Sequence, residues 1–225
     1  MRINASARST VLATIASTML AGGLVIATAT AGAAQSATCP DIEVVFARGT
    51  GELPGVGFVG TPFVNALTTK LSGYSVRSYA VNYAADFMQT SSTPGARDMV
   101  NHVRTVATTC PKTRFVLGGY SQGATVTDKA LGISFSMSTN NTQIPPELAG
   151  RVAAVVVFGN PLGLTGGTIA TRSTTYGPRS RDYCNNADVV CGGRSGGAPG
   201  GHLAYPLNGS TEAGAQFAAE LVRAS

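Results

Sequence analysis

The chain is 225 residues long, enough for one domain of ordinary size with a sizeable core. Hydrophobic residues make up 44% of the sequence and charged residues only 12%, a composition typical of a compact globular protein and not of a disordered one. The formal net charge is +5, but the cations are scattered, and the absence of a basic run with interleaved aromatic residues excludes a nucleic-acid-binding protein.

Residues 1–37 have the pattern of a secretory signal peptide. Two arginines precede an apolar stretch over Val11–Ile26, and small residues at 31–34 fit an A-x-A cleavage site. The alternative is a retained membrane anchor, but the stretch contains too much Thr, Ser and Gly to make a good spanning helix. We therefore expect a secreted, extracellular protein with a mature domain over 38–225 and no membrane span after cleavage.

The mature segment carries four cysteines, an even number that indicates disulfides in an exported chain. Three pairings are possible. Cys184 and Cys191 are close in sequence, so we expect them to pair and to leave Cys39 with Cys110. A zinc site is the alternative interpretation, but it would need a C-x-x-C pair or a nearby histidine, and the sequence has neither. We expect no metal.

Predicted strands and helices alternate along the chain. Apolar and β-branched runs predict strands at 42–47, 76–81, 115–120 and 152–158. Helical patterns cover 58–71, 96–110, a segment opening near Gln122, and 212–222. The uninterrupted apolar run of the last predicted strand is typical of a strand covered on both faces. The pattern predicts a three-layer α/β/α sandwich with a mainly parallel central sheet.

The pattern G-x-S-x-G occurs twice, around Ser121 and around Ser195. A nucleophile elbow needs a strand before the serine and a helix after it, so that the hydroxyl projects from the strand end and the helix N-terminus favours an oxyanion. Only Ser121 has that setting, so we predict it as the nucleophile. Ser195 lies in the glycine-rich segment 192–201, which is typical of a mobile loop and could be either a plain surface loop or a substrate-side loop.

A serine nucleophile needs a base, and the chain has two histidines. His102 falls off the apolar stripe of the predicted helix 96–110, so we interpret it as a solvated surface histidine. His202 lies downstream of Ser121, which agrees with the α/β-hydrolase chain order of serine, acid and histidine. We therefore predict His202 as the base.

Four acids lie between the serine and this histidine, namely Asp128, Glu147, Asp182 and Asp188. We expect Asp128 to point away from the site, Glu147 to start a helix, and Asp182 to lie at the surface beside Arg181. Asp188 is favoured because the expected Cys184–Cys191 loop would fix its carboxylate, and an acid that orients an imidazole must be fixed.

The segment Gly49-Thr50-Gly51 after the first predicted strand is a near miss to the dinucleotide fingerprint G-x-G-x-x-G. Its spacing is off by one, and no acid occurs at 69–77, where a ribose partner would lie. We therefore expect no cofactor. An oxyanion loop fits better, with one donor near Thr50 and one from the backbone of Gln122.

Several segments together resemble the cutinase family over essentially the whole mature chain. They are FARGT at 46–50, GGYSQGA at 118–124, CNNADVVC at 184–191 and HLAY at 202–205. The resemblance implies a compact, lidless α/β hydrolase with a Ser121–Asp188–His202 triad. It also implies an oxyanion hole made by Thr50 and by the N–H of Gln122. Members of the family hydrolyse cutin polyester, short acyl esters and in some cases lipids.

Fungal members of the family carry bulky aliphatic residues before the catalytic histidine, where this chain has glycines. The apolar groups expected beside the site are Tyr83, Phe87, Met88, Leu203 and Tyr205. The sequence therefore predicts a monomeric serine esterase for short- to medium-chain esters, similar to the bacterial cutinase-like members. The alternatives are a lipase or phospholipase and a secreted binding protein with a vestigial triad.

Overall fold

The computed structural model describes residues 39–133 and 142–225, so the expected signal peptide lies outside the described residues. Within these residues five strands form one sheet, in the order β2-β1-β3-β4-β5. They are β1 Ile42–Ala47, β2 Val76–Ala80, β3 Arg114–Tyr120, β4 Val152–Phe158 and β5 Ser180–Tyr183. Every neighbouring pair is parallel, which confirms the predicted parallel sheet.

Helices cover both faces of this sheet. The α-helices of the described ranges are α1 Gly57–Lys70, α2 Ser92–Thr109, α3 Gln122–Ala130, α4 Ile169–Arg172 and α5 Ser210–Ala224. The buried side chains of α1 and α5 pack on one face, and those of α2 and α3 pack on the other. This is the predicted three-layer sandwich. Within residues 39–133 and 142–225, no helix has the length and apolarity that a membrane span requires.

The central strand β1 shows how the sequence produces these two layers. Successive side chains of a strand point to opposite faces. Val44 and Phe46 contribute to the core beneath α1 and α5, and Val45 and Ala47 contribute to the core beneath α2 and α3. All six residues of β1 are buried, as expected for a parallel strand covered on both sides.

The edge strand β5 and the short helix α4 were not predicted from the sequence. The four residues of β5, Ser-Arg-Asp-Tyr, are mostly polar, and among the described strands β5 pairs only with β4. A criterion based on apolar runs finds buried strands and overlooks a short polar strand at an edge. The predicted bounds of β1 and β4 agree with the structure at both ends, while α2 begins at Ser92, before the predicted 96.

The parallel sheet decides where a site can form. The carboxyl ends of the five described strands lie together at one end of the sheet. Ligands of open α/β sheets bind in the crevice outside those ends. The segments that follow β1, β3 and β5 supply Thr50, Ser121 and Asp188 at the carboxyl end of the sheet.

Candidate active site

Ser121 lies at the sharp turn between β3 and α3, with φ 56° and ψ −119°. This is a strained conformation for a residue with a side chain, and such strain concentrates at functional sites. Its N–H donates to the carbonyl of Phe158 at 2.9 Å, which ties the turn to the end of β4. A Cβ on Gly119 would overlap the backbone of Gly123, and a Cβ on Gly123 would overlap the carbonyl of Ala47. The two motif glycines are therefore required by close backbone packing.

A continuous hydrogen-bonded chain runs from Ser121 to Asp188. The Nε2 atom of His202 lies 2.9 Å from the Ser121 Oγ, and the His202 Nδ1 lies 2.9 Å from Oδ2 of Asp188. The Asp188 side chain is fully buried, whereas that of His202 is 24% exposed. The structure thus brings together all three residues predicted from the sequence, with the imidazole open to an incoming molecule.

The carboxylate of Asp188 is held in its charged form. Burial by itself would raise its pKa, but hydrogen bonds from His202 and Tyr205 and the proximity of the His202 ring outweigh burial. The pKa of Asp188 therefore lies below its ordinary value. The N–H of Val190 also donates to Oδ1 at 2.9 Å, so the backbone of the loop helps to orient the group.

Both expected disulfides are present in the structure, Cys39–Cys110 and Cys184–Cys191. The second closes the loop that contains Asp188. The glycine-rich segment 192–201 is hydrogen-bonded to this loop, because Gly193 N donates to the Asp188 carbonyl at 2.7 Å and Ala187 N donates to the Gly200 carbonyl at 3.2 Å. The glycine-rich segment therefore packs against the Asp188 loop and stabilises its backbone.

Ser195 has none of the elbow features. It is exposed and lies in a turn closed by the bond from Gly197 N to the Arg194 carbonyl, 2.8 Å long. It lines a cavity together with Arg181 and Ser210 at the start of α5. The residues around Ser195 are thus different from those around Ser121.

His102 is not the solvated histidine that the helical pattern suggested. Its side chain is only 17% exposed, and its Nε2 lies 2.8 Å from Oε1 of Glu43, a residue of β1 that is 1% exposed. Arg77 donates to the other oxygen of Glu43 at 2.7 Å, and Tyr79 stacks on the imidazole with ring centroids 3.5 Å apart. The prediction was wrong because the partner is 59 residues away in sequence.

The remaining acids do not reach the imidazole. The amide of Asn160 donates to Asp128 at 3.2 Å and to Asp182 at 3.0 Å, so both carboxylates belong to a cluster beside the end of β4. Burial and the nearby Asp182 raise the pKa of Asp128, and burial raises that of Asp182. The expectation that Asp182 is a surface residue was wrong. Glu147 lies in the first turn of a short 3-10 helix, as predicted.

Thr50 and Gln122 are neighbours, with the Thr50 Oγ1 3.5 Å from the Gln122 Oε1. The N–H of Gln122 opens α3, and the first N–H groups of a helix have no intrahelical acceptor. The loop after β2 is hydrogen-bonded to the residue that follows Thr50 and to the Gln122 side chain. Gly51 N donates to the Ala85 carbonyl at 2.8 Å, and the side-chain Nε2 of Gln122 donates to the Asp86 carbonyl at 3.2 Å.

Sequence reasoning missed two residues that hold the Thr50 loop. The Glu52 carboxylate accepts hydrogen bonds from the N–H of Gly49 and, at 2.6 Å, from the N–H of Phe58 at the start of α1. The guanidinium of Arg48 is buried and donates to the Tyr83 carbonyl at 2.7 Å and to the Glu52 carbonyl at 2.8 Å. The usable signal was two charged residues directly flanking a predicted oxyanion loop.

The apolar side chains expected beside the site are only partly those that the structure exposes there. Tyr83 is only 7% exposed and Tyr205 is fully buried, so neither can contact a substrate. Both use their hydroxyls inside the protein. Large apolar side chains that are exposed beside site residues are Phe87, Met88, Val189 and Leu203. Val189 was missed, although it directly follows Asp188 in the sequence.

Fold and site together define a serine hydrolase of the α/β-hydrolase type, with a serine at a strand–helix elbow and a histidine and an aspartate in hydrogen-bonding order. The family model that matches this chain is Cutinase, over residues 38–222. The chain belongs to the cutinase family.

Individual comparisons agree with this assignment. A protein named Cutinase from Kineococcus radiotolerans is 65% identical over 84% of this chain, and the chain covers 64% of the length of that relative. Probable carboxylesterase Culp3 of Mycobacterium tuberculosis is 41% identical over 83% of this chain and 71% of that protein. Among solved structures, Trichoderma reesei cutinase in complex with a phosphonate inhibitor has a TM-score of 0.64 at 28% identity, over 82% of this chain and 77% of that one.

Proposed function

We propose that this protein is a secreted serine ester hydrolase that cleaves short- to medium-chain carboxylic esters through an acyl-enzyme on Ser121. The observation that carries the proposal is the hydrogen-bonded chain from Ser121 through His202 to the buried carboxylate of Asp188. Membership of the cutinase family and the carboxylesterase relative support the ester as substrate class.

The geometry accounts for the acylation half of the reaction. The Nε2 atom of His202 accepts the proton of the Ser121 hydroxyl as the oxygen attacks the ester carbonyl carbon. The carbonyl oxygen becomes an oxyanion, which the N–H of Gln122 and the Thr50 loop stabilise. Asp188 holds the imidazole in the required tautomer and stabilises its positive charge. When the intermediate collapses, the ester C–O bond breaks and His202 gives the proton to the leaving alcohol.

Deacylation repeats these steps with water in place of the serine. His202 takes a proton from water, whose oxygen attacks the acyl carbon, and the second intermediate releases the carboxylic acid and returns the proton to Ser121. A fluorophosphonate probe tests the proposal, because it forms a stable bond only with an activated serine. Labelling of the wild type with turnover of p-nitrophenyl butyrate supports it, and absence of both would leave a binding protein as the better reading.

Secretion rests on the sequence of residues 1–37 and on the disulfides. Two disulfides fit an oxidising compartment outside the cytoplasm. The proposal predicts that the protein recovered from the culture medium begins close to residue 38, which N-terminal sequencing would establish.

Acyl preference should lean to short and medium chains. Each buried methylene contributes about 0.8 kcal/mol, so a long chain is favoured only where apolar surface continues away from the serine. The exposed apolar side chains beside the site are few, and the glycine-rich segment adds almost none. We expect kcat/KM on p-nitrophenyl esters to peak between butyrate and octanoate and to fall for palmitate, without a jump above the solubility limit.

Phe87 is the variant position for this prediction, because its ring is 84% exposed and lies against Gly51 of the Thr50 loop. Phe87→Ala should lower kcat/KM for octanoate several-fold more than for acetate. Phe217→Ala is the matched control, since it removes the same ring from α5, where Phe217 contacts Arg181. A wild type that prefers palmitate, or that shows an interfacial jump, would favour a lipase instead.

The two disulfides should differ in what their removal costs. The Cys184–Cys191 loop spans 7 positions and the Cys39–Cys110 loop spans 71. Chain entropy assigns about 2.5 kcal/mol to the first and about 4.4 kcal/mol to the second. A Cys184→Ser, Cys191→Ser variant should nevertheless lose more kcat, because its loop holds Asp188. Thermal unfolding and turnover measured on both double variants test this. Unchanged turnover in the folded Cys184→Ser, Cys191→Ser variant would contradict the positioning role of that loop.

A further inference from the structure

Tyr205 is an aromatic residue of the site region that the proposed reaction does not use. It lies three positions after His202, yet it is fully buried. Its ring packs against Phe158 at 5.7 Å, against Tyr120 at 6.0 Å and against the His202 ring at 6.5 Å, all between centroids. A buried tyrosine hydroxyl must find a hydrogen-bond partner. The hydrogen-bond partner of the Tyr205 hydroxyl therefore indicates what this residue does.

The Tyr205 hydroxyl donates to Oδ2 of Asp188 at 2.5 Å. The direction of this bond is fixed by its surroundings. The N–H of Asn185 can only donate, and it lies 3.2 Å from the same hydroxyl oxygen, which therefore accepts. The Sγ of Cys191, part of a disulfide, could only be a weak acceptor, and at 3.6 Å it is farther from the hydroxyl than the charged carboxylate at 2.5 Å. The single hydroxyl hydrogen of Tyr205 is thus directed to Asp188.

The Asp188 carboxylate consequently accepts hydrogen bonds from three donors. Its Oδ2 accepts from the His202 Nδ1 at 2.9 Å and from the Tyr205 hydroxyl, and its Oδ1 accepts from the Val190 N–H at 2.9 Å. The His202 Nδ1 is almost equally far from both oxygens, 2.9 Å from Oδ2 and 3.0 Å from Oδ1, so a small rotation about the Cβ–Cγ bond of Asp188 would change the bond to the imidazole. The third donor, from Tyr205, fixes the plane of the carboxylate.

Tyr205 also connects two parts of the chain that must keep their relative position. Asp188 is in the Cys184–Cys191 loop, whereas His202 and Tyr205 are in the turn that leads to α5. The bond from Tyr205 to Asp188 joins that turn to the loop from inside the protein. Tyr120 closes the other side, because its ring stacks on His202 at 4.8 Å and its hydroxyl donates to the His202 carbonyl at 2.9 Å.

From this geometry we infer that Tyr205 is a positioning residue for the reaction, acting through Asp188 to keep His202 aligned with Ser121. The inference rests on the proposed function. The hydroxyl keeps its hydrogen over the whole working range of an esterase, because burial and the hydrogen bond to Asp188 raise the pKa of Tyr205 far above its ordinary value.

The test is a double-mutant cycle between Tyr205→Phe and Asp188→Asn, read out as kcat and KM for p-nitrophenyl butyrate and as the rate of fluorophosphonate labelling. Tyr205→Phe removes only the hydroxyl and should lower kcat about 10- to 100-fold with KM within about twofold, the range for a hydrogen bond to a charged group. In the Asp188→Asn background the same change should have little further effect, because the residue through which Tyr205 acts has already been altered.

The matched control is Tyr183→Phe. Tyr183 packs on the same Phe158 ring at 5.3 Å, and this change should leave kcat unchanged. Tyr205→Phe can lower the melting temperature, since Asn185 loses its acceptor, so kcat is referred to active sites counted by the labelling reagent. A wild type that hydrolyses esters together with a fully active Tyr205→Phe variant would overturn this inference alone. Equal loss of kcat in the wild-type and Asp188→Asn backgrounds would show a purely structural role and overturn it too. An inactive wild type would overturn the proposed function and this inference with it.

Discussion

Ser121→Ala should lower kcat for p-nitrophenyl butyrate by about 10⁴ to 10⁶, because loss of a triad nucleophile removes the covalent route altogether. The fold should remain intact, since the change deletes one oxygen whose hydrogen-bond partner, His202 Nε2, belongs to a partly exposed side chain. The backbone bond from Ser121 N to the Phe158 carbonyl is unaffected. The measurements are steady-state turnover, fluorophosphonate labelling, which should vanish, and thermal unfolding, which should change little.

The second G-x-S-x-G motif supplies the control. Ser195→Ala makes the same chemical change in the same sequence pattern, but Ser195 is exposed in a turn, whereas the Nε2 of His202 is hydrogen-bonded to Ser121. Its turnover should equal that of the wild type. Loss of activity in Ser195→Ala together with an active Ser121→Ala would show that the elbow had been assigned to the wrong serine.

The layers of the fold were predictable because the sheet is buried. The run 152–158 is apolar along its whole length and the run 42–47 is apolar except for Glu43, a pattern typical of parallel strands covered on both faces. β5 was not predictable in this way. Its residues Ser180–Tyr183 lie at the sheet edge, where burial imposes little on the sequence. Local patterns therefore identified four of the five described strands, including the edge strand β2, and missed the polar edge strand β5.

The sequence predicted the catalytic triad but not the residues that hold it in position. Ser121, Asp188 and His202 follow from motif, chain order and a short cysteine loop, all of which can be read along the chain. The roles of Glu52 and Tyr205 depend on contacts made after folding, with the N–H of Phe58 and with the Asp188 carboxylate. Nothing in the residues next to a tyrosine tells whether its hydroxyl meets solvent or a buried carboxylate, so Tyr205 was first interpreted as part of the substrate rim.

The largest remaining effect is expected for the base. His202→Ala should lower kcat by about 10⁴ or more, since the Ser121 hydroxyl then has no group to take its proton and the leaving alcohol has no acid. Fluorophosphonate labelling should slow accordingly, because it needs the same activated serine. Stability should change modestly: the ring is 24% exposed, although Asp188 loses one of its donors.

His102→Ala is the matching control, with the opposite pattern expected. His102 belongs to α2 and pairs with Glu43. Glu43 aligns with Arg77 and Phe115 near the amino ends of the strands, whereas Ser121 follows the carboxyl end of β3. Turnover should therefore stay close to that of the wild type. The free energy of unfolding should fall by about 1–3 kcal/mol, since the buried Glu43 loses one of its two partners. Turnover and urea unfolding measured on both variants separate the two roles, and a comparable loss of turnover in His102→Ala would show that this histidine had been assigned to the wrong part of the molecule.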